Sequence, residues 1–328
     1  MTRIAVLDDW QGIAPTIVDW SSVSGRAEIV YFRAPFGSAD ATVAALDGFD
    51  VVLAMRERTL LNKPVIDRLP ALRLLSFTGP RNAAVDVAAC TARGILVCNT
   101  LGSRSSHATA ELSLGLMLAC ARNIAQGDAE IRAGRFQEHM AAGIELLGRT
   151  LGVVGLGKIG ARMASYGRAL GMEVLAWSQN LTDEAAAAAG VTKVAKDELM
   201  ARADVISLHL VLSDRSRGVV GEADIARMKP GAILVNTSRA QLIDEAALLA
   251  ALHARRIVAG LDVYAEEPLP ADHPLRTAPN TVLTPHLGYV TTDNMADFYR
   301  GAVENIAKWL DGAPIRVVNP EAISSPAS

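Results

Sequence analysis

The sequence is poor in cysteine, in aromatic residues and in net charge, and it has no long uninterrupted apolar run. Its three cysteines, Cys90, Cys98 and Cys120, are too few and too widely spaced for a disulfide framework or a zinc site, so no metal is expected. Each reads as a small buried hydrophobe. A formal net charge of −3, with acids and bases interspersed, offers no cationic field for nucleic acid. The most apolar long segment, AELSLGLMLACA, is broken by Glu111 and by Ser and Gly and is too short to span a bilayer. The N-terminus, TRIAVLDDW, puts two acids directly after a short apolar run, which marks a strand rather than a signal peptide. A cytoplasmic protein with no membrane partner is expected.

Hydrophobic residues are plentiful, at 50% of 328, enough for a sizeable core and, at roughly 100–200 residues per domain, for two domains. Apolar runs at 4–8, 28–32, 51–55, 72–77 and 95–99 read as buried strands separated by helical stretches. A helix over 106–124, apolar nearly all round, follows. A second series of strands is predicted at 150–155, 173–178, 204–210, 232–238, 258–263 and 281–286, with a last helix near 293–311. The alternation predicts an α/β protein with parallel sheets covered by helices on both faces. Asp244 is placed to cap the helix EAALLAALHARR.

VVGLGKIG sets Gly155, Gly157 and Gly160 between a predicted strand and a predicted helix, the GxGxxG dinucleotide fingerprint. Gly155 serves the tight turn, Gly157 the approach of a pyrophosphate, and Gly160 the close packing of helix on strand. The helix N-terminus supplies N–H donors and partial positive charge. The fingerprint's acidic residue is missing: the next strand ends Trp177-Ser178-Gln179-Asn180, with neither a carboxylate to repel a 2′-phosphate nor an arginine to attract one. NAD and NADP both stay open.

Three later segments place charged groups at strand ends: NTSRA with Arg239, LDVYAEEP with Asp262 and Glu267, and TPHLG with His286. In open α/β sheets ligands sit beyond the carboxyl ends of the strands. Reduction of a 2-keto acid needs a cation for the carboxylate, which arginine binds bidentately, and an acid to protonate the carbonyl oxygen, which an imidazolium supplies. A nearby carboxylate holds the ring and favours its protonated form. A lone histidine at a strand end is more often structural, but the three groups together behind a dinucleotide loop point to hydride-transfer chemistry.

TLGVVGLGKIG, LVNTSRAQLIDEAALLAAL, GLDVYAEEPLP and TPHLGYVT, in that order, make the chain resemble the D-isomer-specific 2-hydroxyacid dehydrogenases over nearly its whole length. The likeness is to short members, such as glyoxylate/hydroxypyruvate reductases and 3-phosphoglycerate dehydrogenases without a regulatory domain. It implies two Rossmann-like doubly wound domains, the cofactor domain (102–288) inserted into a discontinuous substrate domain (1–101 and 289–328), with hinges near Leu101 and Gly288. The helix at 106–124 would be an interdomain and dimer element. The resemblance implies Arg239, Glu267 and His286 as the catalytic trio and Asp262 at the nicotinamide carboxamide. Lys158 and Ile159 would lie at the pyrophosphate, Ser178 at the adenosine ribose, Thr237 and Ser238 on the nicotinamide side, and Leu210 and Gly288 along the cofactor. Arg56, Thr78, Gly79 and Arg81 would face the substrate, a small 2-keto or 2-hydroxy acid.

The chain departs from the family pattern in its substrate loop, SFTGPRNAAVD. Pro80 donates no N–H, and Arg81 stands where a second glycine is usual. Arg81 either replaces backbone donors, reaches a second anionic group, or points to solvent. Arg56 sits where relatives with phosphorylated substrates keep an arginine. Tyr289 follows the histidine motif in place of a small residue, and Val211 replaces a proline. Formate oxidation on the same fold is disfavoured because formate dehydrogenases resemble this family but carry glutamine in the role of Glu267. A reading from another class is an NAD-sensing, corepressor-like binding protein on the same fold.

Overall fold

The computed structural model describes residues 1–102, 104–138 and 140–323. It divides into two units, one formed by Met1–Arg104 with Thr291–Ser328, the other by Ser105–Val290.

The first unit carries a five-stranded parallel sheet of β1 (Thr2–Val6), β2 (Ala27–Tyr31), β3 (Val51–Ala54), β4 (Leu74–Phe77) and β5 (Leu96–Asn99), in the order β2-β1-β3-β4-β5. β3 and β4 are buried at every position, as strands covered on both faces must be. Their Val52, Ala54, Leu75 and Phe77 join Leu46, Leu61, Ile66 and Val97 in one core. The helix Thr292–Leu310, capped by Thr291, contributes buried Phe298, Tyr299 and Ile306 to this unit. The C-terminal segment returns antiparallel to β5 through the Cys98–Val317 bridge. Asn319 ties it there, accepting from Val97 N–H at 2.7 Å and donating to Ile95 O at 3.0 Å.

The second unit carries seven parallel strands: β6 (Thr150–Val154), β7 (Glu173–Trp177), β8 (Thr192–Lys193), β9 (Val205–Leu208), β10 (Ile233–Asn236), β11 (Val258–Leu261) and β12 (Thr281–Leu283). Their order is β12-β11-β10-β9-β6-β7-β8, so the direction of winding reverses between β6 and β9. That is the doubly wound Rossmann arrangement, in which the reversal opens a crevice at the carboxyl ends of the strands. β8 is a two-residue exposed edge that no apolar run announces.

The helix expected over 106–124 runs Ser105–Ala121; Asn123, at φ 52°, breaks it before a second helix, Ile124–Arg132. Burial of the first helix is also narrower than the expected all-round apolarity. Ala108, Ala110, Ser113, Leu116, Met117, Cys120 and Ala121 are buried, while His107, Glu111 and Gly115, four apart, form an exposed stripe. Leu116 and Cys120 pack with Leu151, Val153, Ile233 and Val235. A Cβ on Gly260 of β11 would meet Leu116 Cβ at 3.0 Å, so a glycine there lets helix and sheet approach closely. Asp244 accepts from Ala247 N–H at 3.1 Å, the cap read from its position in the sequence. Among the described residues no helix is long and apolar enough to cross a membrane.

Candidate active site

β6 enters the glycine turn directly. Gly155 has φ +99°, and a Cβ there would lie 2.8 Å from the His209 carbonyl carbon. A Cβ on Gly160 would lie 2.0 Å from Gly155 O, whereas one on Gly157 would meet nothing within 4 Å. The three glycines therefore differ physically: two are demanded by backbone contact, and the middle one borders open space. Gly157 also caps the twelve-residue helix Lys158–Ala169, and no side chain satisfies the cap. This opening, at an uncapped helix N-terminus beside the β6/β9 reversal, fits a dinucleotide pyrophosphate. Lys158 is exposed and Ile159 half-buried at that edge, and Leu210 is half-buried just past β9. Gly155 N–H donates to Trp177 O at 2.8 Å, which ties the turn to the end of β7, where Ser178 lies half-buried.

β10, β11 and β12 are neighbours, so the residues after them share one end of the sheet. After β10, buried Thr237 pairs with Ser113 (Oγ1···Oγ 2.7 Å), and Ser238 Oγ donates to Leu208 O at 2.8 Å. Arg239 follows in extended backbone. Its carbonyl accepts from Asn236 Nδ2 at 2.9 Å, and its Nη1 donates to Ser238 O at 2.7 Å.

After β11, Asp262 is fully buried. Its Oδ1 accepts from Thr284 Oγ1 at 2.6 Å and from Leu287 N–H at 2.7 Å, and its Oδ2 accepts from Gly288 N–H at 2.8 Å. Burial pushes this carboxyl above the ordinary range, against those hydrogen bonds and the charge of His286. The same carboxylate thus clasps both sides of the turn holding His286, whose backbone sits in the left-handed region at φ 54°. Gly288 fits the clasp: a Cβ there would lie 3.1 Å from Asp262 Oδ2. Its carbonyl accepts from Thr109 Oγ1 at 3.0 Å.

His286 Nδ1 lies 2.7 Å from Glu267 Oε2, and Glu267 Oε1 accepts from Tyr264 N–H at 3.0 Å. Both side chains are about one-fifth exposed, at 20% and 23%, so the pair is neither sealed in the core nor lost in solvent. The Tyr289 ring stands edge-on to the imidazole at 5.8 Å. The sequence reading passed over Tyr264. Its hydroxyl donates to Thr284 O at 3.0 Å, tying the LDVYAEEP loop to the TPHLG loop.

The first unit holds Arg56, Thr78, Gly79 and Arg81 at the ends of β3 and β4. Arg56, at φ 50°, donates its N–H to Thr78 Oγ1 at 2.8 Å and receives the Asn82 amide on its carbonyl. Its guanidinium lies over Gly79, where a Cβ would meet Nη1 at 1.8 Å. Gly79 N–H donates to Thr100 Oγ1 at 2.9 Å. Arg81 is exposed. Also missed was Asp8, buried just past β1. Its carboxylate accepts from Thr59 Oγ1 at 2.8 Å and from Trp10 Nε1 at 3.3 Å. The signal for it was present in VLDDW, an acid just past a strand.

The family model for the D-isomer specific 2-hydroxyacid dehydrogenase NAD-binding domain matches residues 114–288, more than half of the chain. The chain belongs to this family. Among curated relatives, a D-3-phosphoglycerate dehydrogenase of Methanocaldococcus jannaschii is 41% identical over 263 residues, covering 80% of this chain and 50% of the relative. The chain thus spans about half the length of that relative. A glyoxylate reductase of Aeropyrum pernix is 35% identical over 268 residues, covering 79% of this chain and 80% of the reductase. The crystal structure of a putative D-3-phosphoglycerate dehydrogenase from Ralstonia solanacearum superposes with a TM-score of 0.92 at 37% identity, covering 100% of this chain and 99% of the other. Family membership and the glycine-loop geometry together make the second unit an NAD(P)-binding domain.

Proposed function

We propose that the protein is an NAD(P)-dependent oxidoreductase that interconverts a small 2-keto acid and its D-2-hydroxy acid. The observation that carries this reading is the His286–Glu267 pair at 2.7 Å, beyond the same sheet end as Arg239 and in the sheet that carries the glycine turn. A nicotinamide held in this unit would supply the hydride for reduction and would accept it in the reverse direction. Arg239 holds the substrate carboxylate. Glu267, fixed by Tyr264 N–H, sets the imidazole through Nδ1, which leaves Nε2 to give the substrate's carbonyl oxygen its proton. Asp262 keeps the His286 turn in place and would border the nicotinamide. Thr237, Ser238, Leu210 and Gly288 would line the cofactor, and Lys158 and Ile159 its pyrophosphate.

In the first unit, Thr78 and Gly79 shape the substrate loop, and Arg56 takes a substrate anion. Its guanidinium covers Gly79, whose N–H is committed to Thr100, and Pro80 has none to offer. Arg81, exposed on the same loop, meets a second anionic group.

The same reading places a homodimer in the cytoplasm. All three thiols are free and buried, with burial pushing Cys90 and Cys120 up to about 12, which suits a reducing compartment. Ile124 and Ile131, one face of an exposed helix, leave apolar surface for a second copy.

The test is absorbance at 340 nm with purified protein, NADH or NADPH, and glyoxylate, hydroxypyruvate, pyruvate, phenylpyruvate and 2-ketoglutarate. Oxidation of a nucleotide by at least one acid is expected. None with any pair, despite measurable nucleotide binding, would move the weight to a cofactor-sensing binding protein.

A further inference from the structure

The end of β7 lacks the carboxylate that usually sorts NAD from NADP, and the structure surrounds that end with charges from elsewhere. A cavity of about 510 Å³ opens there. Trp177, Ser178 and Gln179 line it from β7, and Lys193, Val194 and Ala195 from β8 and the turn after it; Asp183 and Glu198 complete the charged part of the lining. All lie at carboxyl strand ends or on the flanking helices Asp183–Ala188 and Lys196–Arg202. Trp177 O is hydrogen-bonded to Gly155 N–H, so the cavity lies one strand beyond the glycine turn, where an adenosine ribose follows a pyrophosphate.

A 2′-phosphate is a dianion and needs uncommitted cations. The lining offers one ammonium, Lys193, and its Nζ is 3.1 Å from Asp183 Oδ1. Glu198 brings a further carboxylate, itself paired with Arg202 at 2.5 Å. Lys196, 6.0 Å from the Trp177 ring, is held by Asp224 at 2.9 Å and by Val219 O at 2.9 Å. Arg215 presents its carbonyl to Gln179 Nε2 at 3.3 Å, and its side chain does not line the cavity. Within the lining Lys193 faces two carboxylates, so the lining side chains carry a small excess of acid, and Arg202, the partner of Glu198, lies outside the lining.

We infer that Asp183 and Glu198, from helices flanking the strand end, take over the sorting role of the missing carboxylate and make the protein select NADH over NADPH by holding Lys193 and repelling a 2′-phosphate. A ribose diol meets Ser178 and Gln179 without that penalty. The inference rests on the proposed cofactor-dependent reading of this unit but not on which acid is the substrate.

The experiment is equilibrium binding of NADH and of NADPH to the full chain by nicotinamide fluorescence, repeated in competition with 5′-AMP and 2′,5′-ADP to isolate the adenosine end. The wild type is expected to bind NADH about tenfold or more tightly than NADPH, and 5′-AMP more tightly than 2′,5′-ADP. Asp183→Asn releases Lys193, and Glu198→Gln removes the second carboxylate. Each is expected to narrow the NADPH/NADH ratio about two- to fivefold, and the double variant about tenfold, with the shift shrinking in high salt because these charges are exposed. Melting temperatures confirm that the variants fold; Thr182 still caps the helix that carries Asp183, accepting from Ala185 N–H. Equal affinities in the wild type, tighter NADPH, or variants that leave the ratio unmoved would each overturn the inference. If NADPH binds tighter, loss of that preference in Arg215→Ala would assign the phosphate to Arg215. Selective NADH binding without turnover of any acid would count against the proposed reaction and leave this inference standing.

Discussion

The two units end their sheets differently on the ligand side. In the second, Gly155 comes one residue after β6 and borders backbone, and a fully buried carboxylate, Asp262, clasps the turn that carries His286. In the first, three neighbouring strands share one device. Two residues past the end of β1, β3 and β4 the chain passes through the left-handed region, at Asp8 (φ 58°), Arg56 (φ 50°) and Gly79 (φ 89°). Two of the three are not glycine, and each non-glycine residue there costs on the order of 1–2 kcal/mol. Side-chain hydrogen bonds offset that strain: Asp8 with Thr59 and Trp10, and Arg56 N–H with Thr78. One unit therefore makes room for a ligand by removing side chains. The other repeats after two of its strands what the second unit does at His286, a side chain held at a left-handed backbone position.

The largest test of this contrast is at His286. Asn tolerates a left-handed backbone, so His286→Asn is expected to keep the turn while lowering kcat about 10³-fold with nucleotide affinity retained. Loss of nucleotide binding or of folding in that variant would make the residue structural. Next comes a pair of glycine substitutions. Gly155→Ala meets the His209 carbonyl at 2.8 Å and strains a φ of +99°. It is expected to cost about 2–4 kcal/mol and to abolish nucleotide binding. Gly79→Ala likewise strains a φ of +89°, but it meets the end of a flexible side chain, Arg56 Nη1 at 1.8 Å, rather than backbone. It is expected to push the guanidinium aside, raising KM for the keto acid about tenfold while leaving nucleotide affinity as it was. Similar effects at both positions would erase the difference drawn between the units.

The same contrast explains what could be read from the sequence. Gly155, Gly157 and Gly160 were legible because close backbone approach admits no other residue, so the chemistry leaves a spacing. Buried parallel strands were legible because both faces must be apolar, as in β3, β4, β9 and β10. β8 was not, because a two-residue exposed edge strand buries nothing. The first long helix was misjudged because composition hides direction: its small residues face the sheet, and His107, Glu111 and Gly115 line the outside. Asp8 and the clasp of Asp262 on Leu287 and Gly288 depend on contacts between segments 51 and 25 to 26 residues apart. Periodicity carries no such information. The charges around Ser178 were missed for the same reason, since Lys193 and Glu198 reach that strand end only through the fold.

An effect on stability alone is expected from His209, beneath the glycine turn. Its Nε2 lies 2.9 Å from Ser207 Oγ, and burial pushes its pKa down to about 4. A folded value below the unfolded one means that the native state holds the neutral ring. Stability is therefore whole above the unfolded pKa of about 6.5 and falls with pH down to about 4, by on the order of 3 kcal/mol. Thermal melts at pH 7.5 and 4.5 would show the loss. His209→Gln, which does not titrate, is expected to flatten it, and an unchanged slope would assign the acid sensitivity to other groups.

The smallest effect is expected at Asp8, and its sign separates strain from charge in the first unit. Burial raises this carboxyl above its ordinary value, against the hydrogen bonds from Thr59 and Trp10 and the charge of Arg58. A raised folded pKa means that the group's contribution to stability is fully present below the unfolded pKa and is lost as pH rises through the folded one. Asp8→Asn keeps an acceptor for Trp10 and gives Thr59 a donor while removing the buried charge. At neutral pH it is expected to raise the melting temperature by no more than a few degrees, and the gain should vanish in acid. Asp8→Ala, which removes the bridge between the loops after β1 and β3 as well as the charge, is expected to lose about 1–2 kcal/mol instead. If Asn and Ala destabilise alike at neutral pH, the ionised carboxylate itself holds the left-handed turns in register, and the buried charge is an asset to the fold.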